Sequence, residues 1–211
     1  MKPVYWSDRT DWIDQLAHSD FTVIEEFISM ETSSLLRSHL IEEIHGENLR
    51  QAGIGTLASF QKDRSIRGDR IQWLNANDSR EGIRRYFEQI QVLIKILKET
   101  CFLPIRDFEI HLAHYPVGTH YARHLDQFNH RSNRIISVVT YLNENWQSGD
   151  GGEIALYPKN STPIIIPPKS GTTVIFRSEI LEHEVLKTHT DRYSVTGWLL
   201  NQPKGTGFLA Y

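Results

Sequence analysis

Residues 120–126 read HYARHLD and place two histidines, an arginine and an aspartate in seven positions. In an extended strand side chains alternate, so 120, 122, 124 and 126 share one face and 121, 123 and 125 the other. His124 and Asp126 are then neighbours, with Cα atoms about 6.5–7 Å apart, a separation from which imidazole and carboxylate can converge on one ion. His120 shares that face but lies about 13 Å from His124 along an extended chain, too far to join them. Tyr121 and Arg123 point away, Tyr121 as packing and Arg123 without an assignable role. A His-X-Asp pair alone says little. A mononuclear iron site of the two-histidine, one-carboxylate kind needs a second imidazole and keeps its remaining positions open for cosubstrate and oxygen.

Three histidines downstream can supply it: His130, His183 and His189. His130 lies in a polar loop and reads as solvated. His189 sits in the turn-like stretch 187–191, whereas His183 begins the run HEVL, where a strand should enter a sheet. Local sequence favours His183 over His189 without excluding the latter. Arg192 opens the stretch RYSVTGWLL, whose even positions are Arg192, Ser194, Thr196, Trp198 and Leu200. That face resembles a pocket wall with an arginine at its mouth, and an arginine there can hold a carboxylate through two parallel hydrogen bonds.

The elements that must position these groups change character near residue 104. Before it, Leu36, Leu40, Ile41 and Ile44 form a helical stripe over residues 33–44 that Gly46 can end. Ile83, Phe87, Ile90, Leu93, Ile94 and Leu97 recur at threes and fours, so 80–100 is a long amphipathic helix. Residues 21–28 and 70–74 read as strands, and 49–64, with Gly53 and Gly55, as a mobile loop. After Pro104, short runs rich in Val, Ile, Thr and Tyr alternate with turn residues. The stretch 135–142 is apolar on both parities and must be covered on both faces. The fold class is therefore mainly β with flanking helices (α+β), a jelly-roll core over residues 104–201 buttressed by a support region, 1–103, within one domain of 1–211.

Composition bounds the function. With 23 basic and 26 acidic side chains the formal charge is −3, and no long basic run asks for nucleic acid. No apolar run approaches the roughly 20 residues that a membrane helix needs. One cysteine, Cys101, rules out an internal disulfide framework, reads as a small apolar residue at a helix end, and suits a reducing, cytoplasmic setting. Of ten histidines, seven fall between 111 and 189, which places the chemistry in the second half; His18, His39 and His45 read as solvated or interfacial.

HYPVGTHYARHLD, VVTYLNENW followed by GDGGEIALYP, and LEHEV…DRYSVTGW resemble, in order, the strands of the iron(II)- and 2-oxoglutarate-dependent oxygenases, in their prolyl 4-hydroxylase branch. SIRGDRIQWL, residues 65–74, is similar to a segment of the oxygen-sensing prolyl hydroxylases and their bacterial relatives, so the likeness spans most of 20–200. The resemblance implies a double-stranded β-helix and a metal site of His124, Asp126 and His183, with Arg192 nine positions after the distal histidine. It implies Tyr115, Tyr141, Thr196 and Trp198 around 2-oxoglutarate, Tyr141 helping Arg192 at the far carboxylate. Asp69 and Arg134 match a salt-bridged pair near the substrate entrance and Trp73 a nearby aromatic; Arg67 and Arg70 read as surface charges, either of which could touch substrate.

The implied cofactors are iron(II), 2-oxoglutarate and dioxygen, with ascorbate as a reductant. The implied reaction hydroxylates a prolyl residue at C4 in a protein or peptide while 2-oxoglutarate becomes succinate and CO2. Without zinc-finger cysteines or an extended N-terminal region, the chain is expected to be a compact bacterial-type enzyme, with elongation factor Tu the first guess for its substrate. The same chemistry on a free amino acid or other small molecule, a zinc cupin-like enzyme, and a non-catalytic binding module stand as alternatives.

Overall fold

The computed structural model describes residues 5–52, 66–127 and 133–203. A single 3-10 turn, Trp6–Asp8, leads into helix α1 (Asp11–Ser19), strand β1 (Phe21–Ile24) and helix α2 (Met30–His45). α1 goes beyond the sequence reading: its two inward residues, Trp12 and Leu16, are too few to make a periodic signal. β1 stops short of the expected 28 because Glu26 adopts a positive φ of 56° and turns the chain toward the helix. The Ser29 side chain caps α2 by accepting from the Thr32 backbone N–H at 3.1 Å, and Gly46 ends it as expected.

Strands β2 (Arg50–Gln51) and β3 (Arg70–Trp73) pair with each other, and residues 53–65, most of the expected mobile loop, lie outside the described residues. Helix α3 (Glu81–Thr100) follows the predicted stripe, with Ile83, Phe87, Ile90, Leu93 and Leu97 all buried. Cys101 stands half-buried at its C-cap.

The remaining strands are β4 (Asp107–Tyr115), β5 (Tyr121–His124), β6 (Arg134–Tyr141), β7 (Ile154–Tyr157), β8 (Ile164–Ile166), β9 (Thr173–Arg177), β10 (Glu182–Val185) and β11 (Arg192–Leu200). They form two antiparallel sheets, ordered β1-β9-β6-β11-β4-β3-β2 and β5-β10-β7-β8. This is the expected jelly-roll with helices on one side.

Period-2 alternation divides the large sheet into two unlike faces. Ile110 and Leu112 of β4, Ile136 and Val138 of β6, and Val195 and Leu199 of β11 pack with Leu36, Leu40, Ile90, Leu93 and Leu97 of the helices. The alternate residues of the same strands, among them Tyr115, Tyr141 and Arg192, face the small sheet. Gly197 has no side chain for a packing reason: a Cβ there would stand 2.4 Å from the Glu109 carbonyl oxygen on β4.

Candidate metal centre and anion pocket

The only cluster of three or more potential metal ligands among the described residues is His124, Asp126 and His183, whose ligand atoms all lie within 4.8 Å of one another. β5 and β10 bring the histidines together by pairing His124 with His183. Asp126 comes from just past the end of β5, so the expected single strand over 120–126 is shorter than the motif. His124 Nε2 is 3.5 Å from Asp126 Oδ1, and His183 Nε2 is 3.6 Å from Oδ2. These gaps are wide for hydrogen bonds and suit groups converging on a shared ion.

Backbone carbonyls fix both rings. His124 Nδ1 meets the Ala122 oxygen at 2.7 Å and His183 Nδ1 the Leu181 oxygen at 3.2 Å. A carbonyl only accepts, so each Nδ1 donates and each Nε2 is turned to the shared point. Ser137 Oγ, 2.6 Å away, donates to Asp126 Oδ2 and is itself 2.8 Å from Ser178 Oγ. Burial works against charge on Asp126, but His183, His124 and Arg134 outweigh it and hold the carboxyl well below the usual range. Burial is also the main reason the His183 pKa is lowered, to about 4, so its Nε2 is free of a proton at neutral pH.

Tyr121 corrects one expectation. Instead of packing away from the site it stacks on His124, ring centroids 3.6 Å apart, and lines the cavity. The β5–β10 register explains this: His183 faces His124, but Val185 faces Tyr121 rather than Ala122. One extra residue in β5 makes a bulge, which brings positions 121 and 124 to the same face. Arg123 does point outward, where it pairs with Glu182 and lies 3.9 Å over the Tyr157 ring.

The cavity beside the triad encloses about 430 Å³ of non-protein space, its open mouth included, and Tyr115, Thr196, Trp198 and Arg192 line it, with Tyr141 packed behind. Arg192 is 3% exposed. Its Nε donates to the Gly152 carbonyl at 2.8 Å and its Nη1 to Ser194 Oγ at 3.2 Å. The guanidinium lies 4.8 Å from the Tyr115 ring and 5.1 Å from that of Tyr141. Among the described residues no carboxylate comes within 4.0 Å of it, so a full positive charge is buried without a counter-ion. A buried unpaired charge is costly, and a bound anion is what would offset it.

The buried Tyr141 hydroxyl lies beside that guanidinium and meets no other hydrogen-bond partner among the described residues. Burial outweighs Arg192 and pushes its pKa up to about 12, so it stays a donor. Gly152 (φ +75°) makes room for the arginine, because a Cβ there would come within 2.8 Å of Arg192 Cδ.

The expected Asp69–Arg134 salt bridge is not what forms. Asp69, fully buried, takes Arg67 through two hydrogen bonds of 2.6 and 2.9 Å, and Arg134 pairs with Glu109 at 2.7 Å. Asp69 and Arg67 are two residues apart on one segment and meet locally, while Arg134 is drawn across to β4 and lies 3.5 Å over the Trp198 ring. Arg67 is therefore a cavity-lining residue, 4.6 Å over Tyr121, and not the surface charge expected from its context. Trp73 is 52% exposed and packs edge-on against His111.

Of the other candidates, His189 is exposed and away from the triad, and His130 lies outside the described residues. Sequence reasoning missed Tyr121, Arg67, Ser137 and Gly152. Only the GDGG run signalled one of them, as a turn; the rest depend on register and a bulge.

Residues 110–200 match the 2OG-Fe(II) oxygenase superfamily. Prolyl hydroxylase EGLN3 of Mus musculus is 29% identical over 173 residues, 75% of this chain and 69% of its own length. A Pseudomonas putida prolyl-4-hydroxylase of known crystal structure is 31% identical and superposes with a TM-score of 0.84 over 90% of this chain and 98% of that one. A Trichoplax adhaerens prolyl hydroxylase, solved with a peptide fragment of the hypoxia inducible factor oxygen degradation domain, is 28% identical with a TM-score of 0.82, covering 90% and 87%.

The donor set fits the family's cofactors. Two imidazoles and a carboxylate suit iron(II), and a buried arginine with no carboxylate near it among the described residues, beside a buried tyrosine hydroxyl, suits the dianion 2-oxoglutarate. The chain belongs to the 2OG-Fe(II) oxygenase superfamily, as a dioxygenase of the prolyl-hydroxylase type that uses iron(II), 2-oxoglutarate and dioxygen.

Proposed function

We propose that this enzyme hydroxylates a prolyl residue of a protein or peptide substrate, releasing succinate and CO2. The observation that carries the reading is one cavity holding both the His124–Asp126–His183 cluster and a buried Arg192 that meets no carboxylate among the described residues. His124, Asp126 and His183 hold the iron. Arg192 and Tyr141 take the far carboxylate of 2-oxoglutarate, with Tyr115, Thr196 and Trp198 shaping its berth. When bound, the metal and keto acid together activate dioxygen and supply the oxidising chemistry.

The chain's own part is geometric and electrostatic. The Ala122 and Leu181 carbonyls orient the imidazoles, Ser137 orients the carboxylate, and the stacked rings of Tyr121 and His124 exclude water from one side. Gly152 fixes the guanidinium through its carbonyl, so only the outer edge of Arg192 is left to measure the cosubstrate's length. Trp73, half exposed at the rim, offers a face to an incoming proline ring. Asp69, held by Arg67, and Arg134, held by Glu109, flank that approach as two separate ion pairs.

Elongation factor Tu is the first substrate to try, with ascorbate as reductant in the assay. The test is 2-oxoglutarate turnover to succinate with iron(II), joined to mass spectrometry of the candidate protein for a single added oxygen on proline. Turnover without any oxygenated proline on proteins, but with an oxygenated free amino acid, would move the substrate to the small-molecule class. No iron-dependent turnover at all would remove the oxygenase reading.

A further inference from the structure

His111 is a buried histidine of the cavity for which no role has been given. It is 1% exposed on β4, lines the cavity, and has no hydrogen-bond partner for either ring nitrogen among the described residues. Burial of unpartnered polar atoms destabilises a fold, and leucine or methionine would fill the same space without that cost. Burial, with the charges of Arg67 and Arg134, holds its pKa well below the ordinary value. The ring is therefore neutral, with one N–H to donate and one bare nitrogen to accept.

A third unpartnered atom lies beside it. Trp198 Nε1, a donor only, is buried without a partner, and the two rings are 5.4 Å apart between centroids at 36°. Paired with each other, the indole N–H and the bare imidazole nitrogen would satisfy one another and leave the imidazole N–H free for a ligand.

Register shows which end of the cavity this is. Tyr115 pairs with Arg192, and His111 stands four residues along the same row, about 13 Å away, opposite Thr196. Trp198, the next residue in that row of β11, pairs with Ser137, which holds Asp126. His111 is thus at the metal end of the cavity and Arg192 at the other. 2-Oxoglutarate has to span between the two.

We propose that His111 is a further cosubstrate-binding residue, donating its N–H to an oxygen at the keto-acid end of 2-oxoglutarate while accepting the Trp198 N–H. Binding then satisfies three buried atoms that have no partner among the described residues. The proposal rests on 2-oxoglutarate being the cosubstrate, and the test separates the two claims.

The full chain, loaded anaerobically with iron(II), is titrated with 2-oxoglutarate and with pyruvate, a keto acid that lacks the distal carboxylate. Tryptophan fluorescence and the visible charge-transfer band read the binding. His111→Leu should weaken both keto acids about tenfold and by the same factor, as loss of one hydrogen bond to a charged group would. It should leave iron(II) affinity unchanged and raise the Tm of the ligand-free protein. His111→Gln, which keeps a donor and an acceptor, should recover most of the affinity. Arg192→Leu should weaken 2-oxoglutarate and leave pyruvate alone.

Affinity for both keto acids within twofold of wild type in His111→Leu overturns the proposal, as does a loss confined to 2-oxoglutarate or a lower Tm with unchanged affinity. Should the leucine variant not fold, Trp198→Phe removes the indole N–H while keeping an aromatic ring, though a smaller one, at the position. About threefold weaker binding of both keto acids then supports the arrangement, and unchanged binding overturns it. Wild-type protein that binds neither keto acid would instead bring down the oxygenase reading itself.

Discussion

The two faces of the seven-stranded sheet are made by the same strands and have opposite characters. On the helix side β4, β6 and β11 contribute Ile110, Leu112, Ile136, Val138, Val195 and Leu199 to one apolar cluster. On the other side the next residues along are His111, Tyr115, Ser137, Tyr141, Arg192 and Thr196. The first face stabilises, and its buried polar groups, such as Thr140 with Tyr86 and Thr173, are hydrogen-bonded to one another. The second carries buried charge and unpartnered polar atoms that weaken the fold. A rigid apolar face is what lets the other face hold groups at positions they would not choose on stability alone.

That contrast predicts where each kind of damage appears. On the cavity face, Asp126→Ala should abolish iron-dependent succinate formation while leaving the unfolding transition within reach of wild type; parallel loss of fold and activity would break the division. Arg192→Leu should raise the 2-oxoglutarate KM by about 10²-fold or more, since two charge-assisted hydrogen bonds at about 1.5 kcal/mol each disappear. Its check is whether pyruvate-supported turnover survives. Gly152→Ala, with its Cβ pressed on Arg192, should raise that KM by a smaller factor and leave iron(II) affinity alone.

On the helix face, Leu93→Ala should cost about 2–5 kcal/mol in denaturant unfolding, with the 2-oxoglutarate KM unchanged at permissive temperature. A shifted KM would show that the two faces are not independent. The smallest effect concerns His39, buried at the junction of α2 and α3 with its Nδ1 3.0 Å from Arg80. Burial first, then Arg80, lowers its pKa below the ordinary 6.5. The unfolded chain then binds the extra proton, so stability is present above about pH 6.5 and is lost as pH falls from there toward the folded pKa. Unfolding free energies of His39→Gln should fall less steeply across that window than those of wild type; equal slopes would remove His39 as the cause.

The sequence carried the parts governed by local rules. The stripe of Ile83 to Leu97 and the strand from Arg192 to Leu200 are short-range periodicities and stand where the pattern put them, whereas His124 and Asp126 converge although β5 ends at His124. The choice of His183 over His189 came from resemblance to a family, since local sequence left both open; the structure places His183 in the cluster and His189 on the surface. Tyr121 was misplaced because simple alternation has no signal for a bulge that depends on how β5 meets β10. The Asp69–Arg134 pairing failed because Arg67, two residues away, competes for the same carboxylate at almost no cost in chain entropy.

By itself, then, the chain determined a helix-backed β sandwich and offered His124, Asp126 and Arg192, because metal-ligand chemistry and hydrophobic period are written in residue type and spacing; the third ligand, His183, came from the family resemblance. Tertiary structure decided the rest. It joined Ser137 to Asp126, left Arg192 without an acid, stacked Tyr121 on His124 and set His111 with two bare nitrogens against Trp198. Each of these depends on how strands meet, as the β5 bulge against β10 and the β4–β11 register do, and local spacing carries no signal for it.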